Sequence, residues 1–272
     1  MISIPQIILG TFQFHNTNEL TSIVETAYRH NIVGFDTSPS YRTEGMLGQS
    51  LSVLSSQYNI PRENLFIQDK IDGWQMEVTK GNITYFVEYS LQQLKTEYLD
   101  VLFVHWPFPD YLNNTWTTFS KLKEQGKIKY IGLSNVRKRH IDKLIKETSI
   151  KPDIIQIERH PLRVCSEYID YCQKQNIIVE AYSPICRMDK RLIESETLKK
   201  ISLKYKKNIA QIILRWHLDT QVIPIFMTKK ALRIQENSDI YDFSLTPEEI
   251  VLINGMNINY KIFVESACCP GI

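Results

Sequence analysis

The 272-residue chain is poor in glycine and has no glycine-rich nucleotide-binding motif. Its ten glycines form neither a GxGxxG pattern nor a GxxxxGK[ST] pattern, which are typical of dinucleotide-binding folds and of P-loop proteins. The chain also lacks the roughly 18–20 consecutive apolar residues that span a bilayer. Its first residues, MISIPQIILGTF, carry no basic segment before the apolar stretch, so we expect neither a secretory signal nor a membrane span. A nucleotide, if one binds, must be held without a glycine-rich turn.

An excess of one charge and a cysteine-pair motif are absent as well. The chain has 32 Lys and Arg against 30 Asp and Glu, a formal net charge of +2. A nucleic-acid-binding protein normally carries a basic surplus, so we expect neither a nucleic-acid partner nor a membrane partner. The five cysteines form no CxxC pair and are odd in number, which indicates reduced thiols in a cytoplasmic protein with no metal site. The adjacent Cys268 and Cys269 fit either a redox-sensitive tail or, as we favour, small exposed residues.

Short apolar runs rich in β-branched residues alternate with amphipathic segments along the whole chain. Such runs are typical of parallel strands that are covered on both faces. Apolar stripes at helical spacing separate them, as at Leu20, Ile23 and Val24, and Thr246-Pro247-Glu248-Glu249 predicts the start of a helix. The alternation fits an open doubly wound sheet as well as a barrel, but eight runs favour an α/β fold, a single (β/α)₈ TIM-barrel domain over residues 1–272. The eight predicted strands are 7–12, 32–37, 64–70, 98–106, 128–134, 153–158, 177–183 and 221–226.

Titratable side chains recur where these strands end. Asp36, Lys70 and His105 lie at the ends of the second, third and fourth runs, and Tyr41 follows Asp36 in the next loop. Because the carboxyl ends of barrel strands form one rim, we expect the four side chains to meet there. The Lys70 ammonium should lower the pKa of the Tyr41 phenol, and Asp36 should hold Lys70 in place. Together with a hydrogen bond from His105, this set suits delivery of a proton to a carbonyl oxygen while a hydride arrives at the carbon.

The sequence around these residues resembles the aldo-keto reductase family, whose members are NADP-dependent (β/α)₈ barrels that interconvert carbonyls and alcohols. The resemblance covers roughly residues 7 to 255 in order. The matching segments are LGTF (9–12), FDTSPSYRTEGMLG (35–48), LFIQDK (65–70), SLQQLKTEYLDVLFVHWP (90–107), GKIKYIGLSN (126–135), QIERHP (156–161), AYSP (181–184) and IPIFMTKKALRIQEN (223–237). One departure is Asp69, at a position where the family commonly has Thr or Ser; strand alternation directs it away from the barrel interior.

The resemblance implies a role for each candidate. Tyr41 corresponds to the general acid/base, Lys70 to the residue that lowers its pKa, Asp36 to the carboxylate that orients Lys70, and His105 to the group that orients the carbonyl. It also implies an NADPH/NADP+ cofactor held by Thr11, Ser134, Asn135, Gln156 and Tyr182 near the nicotinamide and by Thr228, Lys229, Arg233, Glu236 and Asn237 near the adenosine 2′-phosphate. Two cations against that phosphate predict a preference for NADPH over NADH.

The resemblance says less about the substrate. Phe12 and Trp106 match aromatic pocket positions, and Trp74 is a weaker candidate. An aromatic pocket favours apolar or aromatic carbonyl compounds. We therefore expect an NADPH-dependent reductase of aldehydes or ketones, acting on a small-molecule substrate as a monomer.

Two other functions remain open. A Schiff-base aldolase would use Lys70 as its nucleophile, but the nicotinamide-like contacts would then be unexplained. A non-catalytic NADP(H)-binding regulatory barrel would keep the fold without the reaction. Such a binding module has no need of Asp36, Tyr41, Lys70 and His105 together.

Overall fold

Eight parallel strands close into a barrel in the computed structural model, which describes residues 4–264. Each strand pairs with the next one in sequence, and the eighth pairs with the first. The strands are β1 (Ile8–Gly10), β2 (Gly34–Asp36), β3 (Phe66–Ile71), β4 (Leu99–Val104), β5 (Ile128–Ser134), β6 (Ile154–Glu158), β7 (Ile178–Tyr182) and β8 (Val222–Phe226). The predicted barrel is confirmed, and every strand boundary lies within two residues of its predicted position.

Helices cover the outside of the barrel. They are α1 (Thr17–Arg29), α2 (Glu44–Tyr58), α3 (Gly73–Thr79), α4 (Thr84–Leu94), α5 (Leu112–Glu124), α6 (Lys138–Thr148), α7 (Ser166–Lys174), α8 (Lys190–Ile193), α9 (Glu196–Tyr205), α10 (Ile209–Asp219), α11 (Ala231–Ser238) and α12 (Pro247–Asn254). Helix α12 begins as predicted, because the Thr246 side chain accepts a hydrogen bond from the Glu249 amide. Among the described residues, none of these helices is both long enough and apolar enough to cross a membrane. Cys268 and Cys269 lie outside the described residues.

Glycine permits one unusually close helix contact. A Cβ atom on Gly48 of α2 would lie 2.2 Å from the carbonyl oxygen of Gln93 and 2.8 Å from backbone atoms of Leu94, at the end of α4. These are main-chain atoms, so they cannot turn away as a side chain can. The absence of a side chain at Gly48 therefore sets how closely α2 approaches α4.

The barrel interior changes from apolar to polar along its axis. The lower part is filled by a buried apolar cluster of Ile8, Phe66, Val101, Phe103, Ile154 and Ile225. Towards the carboxyl ends of the strands, the inward positions are instead Asp36, Gln68, Lys70, Gln156 and Glu180, all of them buried. Since side chains alternate along a strand, these residues lie on the same inner face as the apolar cluster. The apolar cluster thus closes the bottom of the barrel beneath a polar mouth.

Candidate active site

Lys70 and Asp36 form a buried ion pair at the mouth of the barrel. Lys70 lies on β3 and Asp36 is the last residue of β2, so neighbouring strands place their side chains together. The Lys70 Nζ donates to both carboxylate oxygens of Asp36 at 2.7 Å and to the carbonyl oxygen of Thr37 at 2.9 Å. Burial alone would lower the pKa of Lys70, but Asp36 and Tyr41 raise it overall. The Lys70 side chain is therefore a fixed ammonium.

Tyr41 lies above this pair, on a short 3₁₀ turn that follows β2 (Pro39–Tyr41). The Lys70 Nζ is 4.9 Å from the centre of its ring. Burial raises the pKa of Tyr41 to about 12, although Lys70 lowers it. Lys70 thus acts in the expected direction, but the pKa of Tyr41 stays above its ordinary value, because removal of the phenolate from water outweighs the nearby ammonium. Tyr41 is a protonated phenol at neutral pH and can act as a proton donor.

His105 and Phe12 contact Tyr41. His105 directly follows β4, and its ring lies 5.7 Å from the Tyr41 ring at 84°. The Phe12 ring lies 5.1 Å from Tyr41 and is 39% exposed. The His105 Nδ1 atom lies 2.6 Å from a carboxylate oxygen of Asp72, a contact that the sequence did not predict. The structure thus brings Asp36, Tyr41, Lys70 and His105 together.

Below the ion pair, two amides join two carboxyl groups in what we call the axial polar layer, made of Asp36, Gln68, Gln156 and Glu180. The Gln68 Nε2 donates to Asp36 at 2.9 Å and to Glu180 at 3.0 Å. The Gln156 Nε2 donates to the same two oxygen atoms, at 3.1 Å each. Burial, and then the nearby Asp36 charge, raise the pKa of Glu180 to about 8, although the two amides lower it. Glu180 is consequently protonated at neutral pH.

Asp69 points out of the barrel, as strand alternation predicts. It accepts a hydrogen bond from the backbone N–H of Lys70 at 2.8 Å and faces Glu44 of α2. Burial and the neighbouring Glu44 raise the pKa of Asp69 well above its usual value, and burial also raises the pKa of Glu44. Asp36 therefore remains the carboxylate whose oxygens accept hydrogen bonds from the Lys70 ammonium.

The residues predicted near a nicotinamide line one wall of the mouth. Asn135 follows β5 in the left-handed region, with φ 61°, which asparagine tolerates. Its Nδ2 donates to the carbonyl oxygen of His105 at 3.0 Å and to the Ser134 hydroxyl at 3.1 Å, and Tyr182 donates to its Oδ1 at 2.7 Å. Since the Gln156 Nε2 already serves two carboxyl groups, its Oε1 is the atom left to accept from a ligand. A hydroxyl and amide oxygens beside an aromatic ring fit a nicotinamide carboxamide.

A cavity of about 720 Å³ opens beside this wall and includes Trp106, Asn135 and Tyr182 in its lining. That volume is within the range of small-molecule sites. Thr11 takes another position: its hydroxyl donates to the carbonyl oxygen of Asp36 at 3.0 Å and lies 2.8 Å from the Thr43 hydroxyl. The Thr11 side chain therefore supports the base of the loop that carries Tyr41.

The residues predicted around a 2′-phosphate lie together after β8. Thr228 is buried, whereas Lys229 and Arg233 are exposed at the start of α11. The Thr228 hydroxyl accepts from the Lys230 amide at 3.2 Å, and Lys229 lies 3.2 Å from a carboxylate oxygen of Glu19. A helix amino end combined with two cations fits a phosphate group. The remaining members of the predicted set, Glu236 and Asn237, lie further along α11.

Trp74 is not in the first cavity. It lies on α3, is 54% exposed and packs against Phe86 with ring centres 5.0 Å apart. Together with Tyr85 and Tyr89 it lines a second cavity of about 520 Å³ between α2, α3 and α4. Trp106 and Trp74, both predicted to line the substrate pocket, therefore line different cavities.

Sequence reasoning missed Gln68, Asp72 and Glu180. A signal for two of them was present, because Gln68 lies two residues before Lys70 on β3, and Glu180 lies two residues before Tyr182 on β7. Alternation along a strand places residues at this spacing on the same face. The rule indicates Gln68 and Glu180 but not Asp72, which lies beyond the end of β3.

The chain is similar to known proteins along nearly its whole length. The family model described as "Aldo/keto reductase family" matches residues 6–258. A glyoxal reductase of Bacillus subtilis is 36% identical over 96% of this chain and 92% of its own length. A methylglyoxal reductase of Yersinia pestis is 33% identical over 95% of this chain and 91% of its own length. A Bombyx mori aldo-keto reductase, solved in complex with NADP, superimposes with a TM-score of 0.89 at 29% identity, over 97% of this chain and 92% of its own.

Proposed function

The chain belongs to the aldo/keto reductase family, and we propose that it reduces small aldehydes, 2-oxoaldehydes among them, with Tyr41 as the proton donor. Membership makes it an NADP-dependent oxidoreductase that acts on carbonyl groups. The observation that carries the proposal is the convergence of Asp36, Lys70, Tyr41 and His105 at one end of the barrel. NADPH, when bound, would supply the hydride for the carbonyl carbon.

In this proposal the Tyr41 hydroxyl gives its proton to the carbonyl oxygen. The phenolate that is left would be costly in a buried site, and the Lys70 ammonium, 4.9 Å from the ring centre, stabilises it. Asp36 and the Thr37 carbonyl hold the Lys70 Nζ in place through three short hydrogen bonds. Lys70 thereby offsets part of the burial that raises the pKa of Tyr41 to about 12.

The same rim would hold the cofactor in two places. Ser134, Asn135 and Gln156 offer the hydrogen-bonding atoms for the carboxamide, and the Tyr182 ring offers a stacking surface. Thr228, Lys229 and Arg233, followed by Glu236 and Asn237, would bind the adenosine end, where two cations favour NADPH over NADH. We assign Thr11 to support of the Tyr41 loop, because its hydroxyl bonds within that loop.

The substrate would enter between Phe12 and Trp106. Phe12 packs against Tyr41, and Trp106 lines the cavity of about 720 Å³. Among the small aldehydes we include 2-oxoaldehydes, because two relatives that match nearly the whole chain are named for glyoxal and methylglyoxal.

The test is NADPH consumption by purified protein with a panel of aliphatic aldehydes, aromatic aldehydes and 2-oxoaldehydes, beside Tyr41→Phe. We expect turnover by the native protein and a loss of about 100-fold or more in the variant, because a positioned general acid contributes roughly that much. NADPH binding, measured by fluorescence titration, should change little. Near-normal reduction by Tyr41→Phe would refute the Tyr41 assignment, and binding without turnover by either protein would favour the regulatory barrel.

A Schiff-base aldolase is disfavoured by the state of Lys70. A nucleophilic amine must lose its proton, whereas Asp36 and Tyr41 raise the pKa of Lys70 and three hydrogen bonds occupy its Nζ. Borohydride reduction in the presence of aldehyde, followed by mass spectrometry, should leave Lys70 unmodified. A covalent adduct on Lys70 would revive the aldolase alternative.

We propose the cytoplasm as the compartment and a monomer as the working unit. Within residues 4–264, Cys165, Cys172 and Cys186 are free thiols, which suits a reducing compartment. Light scattering during gel filtration tests the monomer, and a mass of twice 31.9 kDa would contradict it.

A further inference from the structure

His105 has an acidic partner on the side of its ring that carries Nδ1. A carboxylate oxygen of Asp72 lies 2.6 Å from this nitrogen, while the hydroxyls of Ser38 and Ser40 lie 3.3 Å and 3.5 Å away. Asp72 directly follows β3 and is the N-cap residue of α3. The Asp72 and His105 side chains are only 10% and 13% exposed. The shortest contact of Nδ1 is therefore with a group that, when ionised, can only accept a hydrogen bond.

This contact determines which ring nitrogen carries the proton. A carboxylate has no proton to give, so the proton between Asp72 and His105 resides on Nδ1. The other ring nitrogen, Nε2, makes no hydrogen bond within the described part of the chain and is not sealed from solvent. The His105 ring also stands edge-on to Tyr41, the proposed proton donor. Nε2 is thus the nitrogen available to a substrate oxygen.

We propose that Asp72 is a positioning residue that keeps the proton of His105 on Nδ1, so that the charge of the ring selects what Nε2 can bind. As an imidazolium, the ring donates from Nε2 to a carbonyl oxygen, which supports reduction. As a neutral ring, it presents a lone pair at Nε2, which accepts the hydroxyl of an alcohol and opposes a carbonyl oxygen. The inference rests on the proposed function, because it takes Tyr41 and His105 as the groups that face the carbonyl.

The other groups around His105 do not hold its proton on Nδ1. Ser38 and Ser40 are neutral, and Tyr41 is protonated at neutral pH because its pKa is raised to about 12. The Lys70 ammonium lies behind Tyr41, where Asp36 and the Thr37 carbonyl accept its hydrogen bonds. Asp72 is the carboxylate that touches the imidazole, and the Glu180 carboxyl lies further down, in the axial polar layer.

The contact between Asp72 and His105 makes the rate of reduction depend on pH. With Nδ1–H fixed, only the imidazolium can donate from Nε2 to a carbonyl oxygen, and a rise in pH reduces the share of this form. The rate of reduction therefore falls with rising pH, and alcohol oxidation gains. Without Asp72, the hydroxyls of Ser38 and Ser40 can donate to Nδ1, and the neutral ring then carries its proton on Nε2 and remains a donor.

The tautomer can be measured without turnover. In protein labelled with ¹⁵N at its six histidines, two-dimensional NMR distinguishes a ring protonated on Nδ1 from one protonated on Nε2, and His105→Gln identifies the signal. We expect Nδ1–H in the native protein and Nε2–H in Asp72→Ala. Asp72→Asn keeps a good N-cap side chain and removes the charge. If Asp72→Ala fails to fold, the native protein is compared with Asp72→Asn instead. Nε2–H in the neutral native ring, or an unchanged tautomer in both variants, overturns the inference.

Kinetics then tests the consequence. We expect kcat for aldehyde reduction by the native enzyme to fall as the pH rises, the fall to be several-fold shallower in Asp72→Ala, and KM to change little. Asn208→Ala removes the side chain of a similar capping box, at the start of α10, and should follow the native profile. Glu180 is unchanged in all three proteins. Parallel profiles in the native enzyme and Asp72→Ala would reject the inference. Absence of turnover in every protein would instead reject the proposed function, and the NMR result would still stand or fall by itself.

Discussion

Replacement of Glu180 by Gln should stabilise the protein relative to the native protein, and this difference should grow as the pH rises. The Glu180 side chain is wholly buried, and its pKa is raised from 4.5 to about 8, mainly by burial. Below pH 4.5 the group is protonated in both the folded and the unfolded chain. Between the two values the unfolded chain releases this proton and the folded chain keeps it, so rising pH favours unfolding; above about 8 the effect is complete. The substituted side chain cannot ionise, and its amide oxygen can still accept from Gln68 and Gln156.

The size of the effect follows from the interval between the ordinary pKa of Glu180, 4.5, and its value of about 8 in the folded protein. Each pH unit between the two pKa values is worth about 1.4 kcal/mol, so the native protein loses roughly 3–5 kcal/mol across the range, allowing for relaxation of the charged site. The free energy of unfolding of Glu180→Gln, minus that of the native protein, should therefore increase by this amount from pH 4.5 to pH 8. The net stability of a domain is only about 5–15 kcal/mol, so a change of this size is readily measured.

The assay is guanidinium denaturation followed by tryptophan fluorescence at half-unit pH steps. Glu124→Gln, on the exposed face of α5, is the matched control for the same chemical change without burial. A band of a protonated carboxyl group in the infrared spectrum at pH 7, lost in Glu180→Gln, gives a direct check. If the stability difference does not vary with pH, Glu180 is ionised in the folded protein and the reasoning about the axial polar layer is wrong.

Three further substitutions test other parts of the molecule. Gly48→Ala should lower the free energy of unfolding by about 1–3 kcal/mol, because its Cβ would meet backbone atoms of α4. Gly45→Ala is the control, since its Cβ would meet only the end of the Gln93 side chain, at 3.0 Å. An equal loss of stability in Gly45→Ala would contradict the packing argument. Arg233→Ala should raise KM for NADPH about 10- to 100-fold and leave that for NADH nearly unchanged, since a charge-assisted contact to phosphate is lost; equal losses for both cofactors would count against the phosphate site. Trp106→Ala should raise KM for aldehydes severalfold, whereas Trp74→Ala should change it less than about twofold, because Trp74 packs on Phe86 outside the first cavity; the reverse order would reassign the pocket.

Most of the fold could be predicted from the sequence because its signal is local. A parallel strand covered on both faces is a nearly continuous run of apolar β-branched residues, and β5 lies where the run 128–134 indicates. The convergence of Asp36, Lys70 and His105 followed from the same signal, since strand ends in a barrel share one rim. Gln68 and Glu180 could have been added by the period of two along β3 and β7.

Other features depend on distances that no local pattern contains. The pKa of Tyr41 results from burial and the Lys70 charge acting in opposite directions, and its direction requires the depth of the phenol and its separation from Nζ. The contact between Asp72 and His105 depends on how the chain turns as it leaves β3. The position of Trp74 depends on the packing of α3 against α4, because that packing places its ring on Phe86.

The axial polar layer has a consequence for how the chain assembles. Asp36 and Gln68 come from the first half of the sequence, and Gln156 and Glu180 come from the second. Each amide divides its two N–H groups between a carboxyl of its own half and one of the other, so either half-barrel alone lacks half of the hydrogen bonds of its amide. These hydrogen bonds form only when the two halves meet and close the layer off from water. Barrel closure and completion of the mouth are thus one cooperative event, and two separately expressed halves of the chain should form the Gln68–Glu180 and Gln156–Asp36 hydrogen bonds only when they are combined.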